Sequence, residues 1–226
     1  MAPVLWPIGI LKPQSVTFEI AARTLAGPSS VSGVSQVVAS DAGIWKATFT
    51  NVILNTRNRE QVLVFRALAA LLEGRMNPVL VPLCRAYQPY APEWKGFYEP
   101  VPHSDDSPFS DGSEYRGTVI DVTLASNIPV RGTTANVTIT LVHEIQPGQH
   151  FSIGERLYRI RTVTPTGPNS ATITFRPPAR EAATIGTKLE FDDPVCRMRL
   201  ASDGELDLPL TRGTWTYPTV NFIEDV

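Results

Sequence analysis

Apolar residues alternate with polar ones along most of the chain. Val16, Phe18 and Ile20 alternate with Thr17 and Glu19, and Trp45, Ala47 and Phe49 alternate with Lys46, Thr48 and Thr50. Val79, Val81 and Leu83 make a third set just ahead of Cys84. Successive side chains of a strand point to opposite faces, so each run predicts a strand with one apolar face, as in an antiparallel sheet. One stretch departs from period two. Over residues 57–73, Val62, Phe65, Ala69 and Leu72 follow helical spacing, and Val64, Leu68 and Leu71 widen the stripe. Asn55 and Thr56 are placed to cap the start of this helix, and Gly74 stands where a left-handed terminating residue belongs. A stripe that wide must be covered, so the helix is expected to pack on the sheet.

From Glu99 to Glu114, Pro, Ser, Asp and Gly break every periodicity, and residues 99–111 read as a linker. Strands then resume in a shorter, Thr-rich style. Ile120, Val122 and Leu124 oppose Asp121 and Thr123, and Val137, Ile139 and Leu141 oppose Asn136, Thr138 and Thr140. Further strands are expected around Tyr158–Val163 and Ala171–Phe175, separated by Thr-Pro-Thr-Gly-Pro-Asn, with Leu189 and Phe191 closing the set. Short strands with turn signals at this spacing predict a small barrel, OB-like, or a sandwich. Strand patterning returns at Val195–Leu200 and Thr214–Ile223. That tail is too short to be a domain. It is expected to rejoin the N-terminal sheet, making residues 112–194 an insertion between 1–98 and 195–226.

Composition narrows the function. The 226 residues are 42% hydrophobic and 19% charged, which suits a packed protein and not a disordered one. Twenty prolines and fifteen glycines favour many short elements over a helical bundle. A net charge of −2 and a pI near 5.9 leave no global basic field for specific nucleic-acid binding. Sixteen of the 20 cationic residues are Arg, whose planar fork suits hydrogen-bonded contacts between subunits. The apolar N-terminal run lacks the basic lead-in and small-residue cleavage site of a signal peptide, and no apolar stretch approaches the ~20 residues of a membrane-spanning helix. Synthesis in a cytoplasm is expected. Cys84 and Cys196 both lie in apolar runs and read as buried free thiols, although a bridge between them stays open if their Cα atoms fall within ~7 Å.

Candidate chemistry is sparse. His103 stands beside Asp105 and Asp106 in the linker, a set that could hold a metal ion but reads as a solvated polar loop. His143 and His150 have no partner at metal-ligand spacing and read as surface or turn residues. The chain has no Gly-x-Ser-x-Gly, P-loop or dinucleotide fingerprint. Residues 27–35, rich in Gly and Ser, lack the Lys and following helix of a phosphate cradle and read as a loop between strands. Asn136-Val-Thr138 matches a glycosylation acceptor but falls inside an expected strand. No catalytic, cofactor-binding or metal residue is assigned, and no cofactor is expected. A β-surface with Arg and without chemistry points to assembly.

A set of motifs sharpens that reading. Gly43-Ile-Trp45-Lys-Ala-Thr-Phe49 is followed by Arg66-Ala-Leu-Ala-Ala-Leu-Leu-Glu-Gly74-Arg75 and then by Val79-Leu-Val-Pro82-Leu. Later come Pro147-Gly-Gln-His-Phe-Ser-Ile-Gly154-Glu-Arg-Leu-Tyr158, Phe175-Arg-Pro177-Pro178-Ala-Arg180, Asp193-Pro194-Val-Cys196-Arg-Met-Arg-Leu200 and the closing Phe222-Ile-Glu224-Asp225. In this order they resemble the distal tail proteins of long-tailed bacteriophages, over most of residues 40–84 and 145–226, while residues 85–140 carry no matching motif. The resemblance implies a tail-tube-like β-sandwich with one flanking helix and an inserted barrel. It implies a non-enzymatic virion protein at the tail tip, assembled in the host cytoplasm as a homo-hexameric ring. Its neighbours would be the tail tube protein, the tail-tip hub protein, and receptor-binding or fibre proteins, with genome DNA passing through the lumen. Two other readings stand beside it. Tyr87, Tyr90, Trp94, Phe97 and Tyr98 form an aromatic cluster that could stack on sugar rings in a carbohydrate-binding module of the tail tip, or plug a domain junction. A small cell-wall hydrolase is the other reading, weakened by the lack of a paired nucleophile and base.

Overall fold

Where the sequence alternates with period two the backbone is extended, and where it turns to helical spacing it coils, giving a mainly β chain with one helix among its described residues. The computed structural model describes residues 3–29, 33, 35–83, 99–101, 104–105, 107–112, 115–117, 120–141, 145–208 and 214–226. The first elements are β1 (Val4–Leu5), β2 (Pro13–Ser29), β3 (Ser35–Val52), β4 (Leu54–Asn55), α1 (Arg59–Leu72) and β5 (Val79–Pro82). Next come β6 (Glu99–Val101), β7 (Tyr115–Gly117), β8 (Asp121–Leu124), β9 (Thr134–Leu141), β10 (His150–Ile153), β11 (Arg156–Gly167), β12 (Ser170–Arg176) and β13 (Lys188–Leu189). The last are β14 (Val195–Leu200), β15 (Trp215–Thr216) and β16 (Val220–Glu224). The chain divides into two compact units, Met1–Leu83 with Val195–Val226, and Cys84–Pro194.

The first unit is built on a six-stranded sheet in the order β1-β5-β14-β16-β3-β2. Its registers put the apolar halves of the alternating runs on one face. Cys196 lies opposite Val81, Leu200 opposite Phe222, Phe222 opposite Ala47, and Ala47 opposite Phe18, and all of these are buried. Lys46, Thr48, Arg197 and Arg199 fall on the other face. Trp6, which belongs to no periodic run, enters this core from the turn after β1. Its ring meets Phe49 and Phe222 edge-on at centroid distances of 5.7 and 5.3 Å, and those two stand 5.3 Å apart. Such edge-to-face contacts add roughly 0.5–1.5 kcal/mol each beyond the area they bury.

The helix begins two residues later than its spacing suggests. Asn58 is the N-cap, its side-chain oxygen accepting from the backbone N–H groups of Glu60 (3.0 Å) and Gln61 (3.4 Å). Asn55 and Thr56, expected as caps, are held elsewhere by the two-stranded ribbon β4–β15. Asn55 pairs with Trp215, and both the backbone N–H and the hydroxyl of Thr56 donate to the Thr214 carbonyl. At the other end the left-handed conformation begins at Glu73 (φ 47°) and continues in Gly74 (φ 65°). A Cβ at Gly74 would also lie 2.8 Å from Asp203 Oδ1, and that exposed side chain would have to shift. Phe65, Leu68 and Leu72 are buried, whereas Leu71, expected in the stripe, is exposed together with Leu63.

The second unit centres on a sheet in the order β10-β11-β12-β9-β8-β13. Ser152 of β10 and Glu190, just past β13, exchange backbone hydrogen bonds of 2.8 and 2.9 Å, which joins the two ends of the sheet into a barrel. Phe151, Tyr158, Phe175 and Phe191 fill its interior with Val122, Val137, Ile173 and Leu189. The Tyr158 hydroxyl accepts from the Arg180 backbone N–H at 3.1 Å, so the buried ring keeps its polar tip satisfied. Thr164–Asn169, expected to separate two strands, is mostly strand. The β11–β12 ladder runs out to Gly167↔Ser170, leaving Pro168 and Asn169 as the turn. Within the stretch read as a linker, Glu99–Val101 pairs with Tyr115–Gly117.

Two substitutions test this account by chemical denaturation. Phe65→Ala should lower stability by about 3–5 kcal/mol, the usual cost of truncating a buried phenylalanine. Asn58→Ala should cost about 1 kcal/mol. A Phe65→Ala protein with the parent's midpoint would place the stripe outside the core.

Candidate assembly surface

Most of the residues singled out for chemistry are not brought together. His150 is buried at the start of β10, not on the surface or in a turn, because it falls within the closed barrel wall. His103, Asp106, His143, Cys84 and the aromatic cluster Tyr87, Tyr90, Trp94, Phe97 and Tyr98 lie outside the described residues. Asp105 accepts hydrogen bonds from the Ser107 hydroxyl (2.6 Å) and backbone N–H (3.2 Å), which hold its carboxyl below the ordinary value. This is a local Asx-type turn. Cys196 is buried and faces the core of the first sheet. Asn136 sits on β9, where its amide oxygen accepts from the Thr172 hydroxyl. Among the described residues no three His, Cys, Asp or Glu side chains gather as a metal site requires. A cavity of about 260 Å³ beside the helix start is lined by Gly9, Ile10, Lys12, Ile53, Asn58, Glu60 and Gln61. Lys12 and Glu60 are its ionisable groups, and neither stands next to a nucleophile in that lining.

What the structure does present is a projecting ribbon. β16 accompanies β3 only from Phe49 to Lys46. Past that point β2 and β3 continue together to Ser29↔Ser35. Among the described strands they pair there only with each other, and no other described strand lies along either flank of the ribbon. From Arg23 to Ser29 the ribbon extends roughly 20 Å at about 3.3 Å per residue. Within the stretch 27–35, read as a loop, Gly27–Ser29 belong to β2 and Ser35 begins β3. Open flanks of this kind pair readily with another chain unless they are guarded. Pro28 lacks an N–H, and a register shift between Ala26 and Ser29 interrupts the ladder near the tip.

Arg197 and Arg199 on the outer face of the first sheet are engaged internally. Asp225 Oδ2 accepts from Arg197 Nε at 2.8 Å and Oδ1 from Arg199 Nε at 2.6 Å. Burial pushes this carboxyl up, but the hydrogen bonds and charges of the two guanidinium groups outweigh it and hold it below the ordinary value near 3.8. Glu205 Oε2 accepts from the Asn221 backbone N–H (2.8 Å) and side-chain amide (3.0 Å), and the Thr48 hydroxyl donates to Asn221 Oδ1. Arg75 pairs with Asp203, and Arg156 with Glu181. Exposed arginines remain at Arg57, Arg59 and Arg66, at the start and on the outer side of α1. No protein-family model matches the chain, and no curated protein matches it.

The Asp225 pair has a pH signature. Its folded value is depressed, so its stabilisation is complete above the ordinary carboxylate range and is lost as pH falls through the depressed value. Asp225→Asn should therefore cost about 1–2 kcal/mol at neutral pH, discounted for the partly exposed arginines. The variant should also show a shallower loss of stability below about pH 4. Parallel acid limbs for parent and variant would remove Asp225 from the acid response.

Proposed function

We propose that this protein is the distal tail protein of a long-tailed bacteriophage. In this reading it is a structural subunit of the virion, six copies of which form a ring joining the tail tube to the tip hub and to receptor-binding or fibre proteins beyond it. The observation that carries the reading is the β2–β3 ribbon, which among the described strands has no partner along either flank beyond the sheet. A subunit that pairs one flank to the other flank of the next copy makes a heterologous contact, and such contacts repeat into a ring when the rotation closes. The motifs that resemble distal tail proteins fall on elements of the core. Trp45 and Phe49 lie in β3, Val79–Pro82 is β5, and Asp193–Leu200 leads into and forms β14.

The role needs no reaction. Genome DNA passing through the lumen should not adhere, and a net charge of −2 suits that better than a basic surface. No helix among the described residues is long and apolar enough to cross a membrane. The proposed location is the virion tail tip, reached after assembly in the host cytoplasm.

Gold labelling or density fitting on assembled particles tests this. Six copies, or a multiple of six, are expected around the axis where tube meets tip. Location in the capsid, a three-fold copy number on fibre ends, or absence from purified particles would end the reading. Solution mass is a poor substitute, because such a ring can require the tube or hub as a template.

A further inference from the structure

Three features meet at one level of the first sheet, where β16 stops beside β3. The β16–β3 ladder runs from Val220↔Phe49 to Ile223↔Lys46. At the next residue the side chain of Glu224 takes over. It is 6% exposed, and its Oε2 accepts the Trp45 backbone N–H at 2.9 Å. The alternation Val220, Phe222, Glu224 calls for an apolar residue at this core-facing position, and burial of a carboxyl group is costly without such a bond. Immediately beyond, β3 bulges. Between Ala21↔Ile44 and Arg23↔Ser40, β2 advances two residues while β3 advances four. Gly43 lies in that bulge and is buried, and a Cβ there would stand 2.6 Å from Ile20 Cγ2.

We infer that Glu224, Gly43 and the bulge of β3 form a fixed root for the ribbon. The Glu224 carboxyl stands in for a strand residue and ends the six-stranded part of the sheet at Trp45. The extra residues of β3 then set the direction in which the ribbon leaves, since a bulge bends its strand and sharpens the local twist. Gly43 is the one residue type that lets the bulge lie against Ile20 without displacing it. The device is conformational, and it holds whether or not the subunit enters a ring.

Residue-resolved amide exchange on the full chain tests the clamp. In Glu224→Ala the Trp45 amide should exchange faster by roughly tenfold or more, while amides of β5 and β14 keep the parent's rates. Glu224→Gln, whose amide oxygen can still accept, should restore protection at Trp45. Direction is read by the distance between encoded nitroxide side chains at Gly33 and Thr50. The distribution should be narrow in the parent and in Glu224→Gln, and shifted or broadened in Glu224→Ala and in Gly43→Ala. A Trp45 amide as protected in Glu224→Ala as in the parent overturns the inference. A uniform rise in exchange across the sheet overturns it as well, because the carboxyl would then serve only global stability. So does an unchanged distance distribution in both Glu224→Ala and Gly43→Ala.

Discussion

The first sheet depends on two strands that arrive last. β5 and β3 never touch; β14 and β16 stand between them, β14 against β5 and β16 against β3. Residues 1–83 alone therefore supply two strand pairs, β1 with β5 and β2 with β3, which no ladder of their own joins. Only when residues 195–226 return do Val81, Cys196, Met198, Phe222 and Ala47 form one continuous buried surface. The return spans the whole Cys84–Pro194 unit, and closing so long a loop carries an entropic cost that grows only slowly with length. Such non-local pairing makes a slow-folding topology. A barrel that folds on its own would shorten the effective loop before the sheet has to close.

Polar side chains on and around β16 fasten it. Asp225 is held by two arginines of β14, Asn221 is held by Glu205, and Glu224 reaches the backbone of β3. These contacts lie within one chain and occupy the best-placed acids and arginines of that sheet. For the proposed ring, a neighbour would therefore have to find its hydrogen-bonding groups elsewhere, on the ribbon's backbone or at the exposed Arg57, Arg59 and Arg66. An Arg-rich composition alone does not distinguish these two uses, because the guanidinium fork suits an intrachain carboxyl as well as an intermolecular one.

Burial patterns were the most legible part of the chain. Trp45, Ala47 and Phe49, the β5 set, Val122 with Leu124, and the helix residues Phe65, Leu68 and Leu72 can each be placed from periodicity, because burial of one face is a local signature. Other features depend on pairing at a distance. Trp6 has no periodic neighbours and is buried only because Phe49 and Phe222 converge on it. Asn55 has the chemistry of a cap as much as Asn58 does, but β15 draws it into a ribbon. Gly, Pro and Ser at 27–35 read as a loop, yet the ladder persists to Ser29 because the partner strand is continuous there. His150 reads as a turn residue after Pro-Gly-Gln, and barrel closure buries it. The candidate surface was the least legible of all. Standing at an edge is chiefly a property of topology, and Pro28 is the one mark of it that the ribbon's own sequence carries.

The ribbon's geometry bears on which assembly it favours. A single open flank can meet its own copy across a two-fold axis, and that contact closes at a dimer. Here the two flanks differ, since one is the outer side of β2 and the other the side of β3 that β16 has left. The bulge at 41–43 and the register shift near Ser29 fall on different strands, so the flanks present differently interrupted rows of donors and acceptors. Unlike flanks favour each other over themselves when their interruptions are complementary, and the resulting contact is head-to-tail. Two-stranded ribbons twist strongly. In the proposed ring, that twist would rotate each copy from the last about an axis. A root that fixes the angle at which the ribbon leaves the sheet would make that rotation the same at every contact of the proposed ring, and equal rotations are what closure of a ring requires.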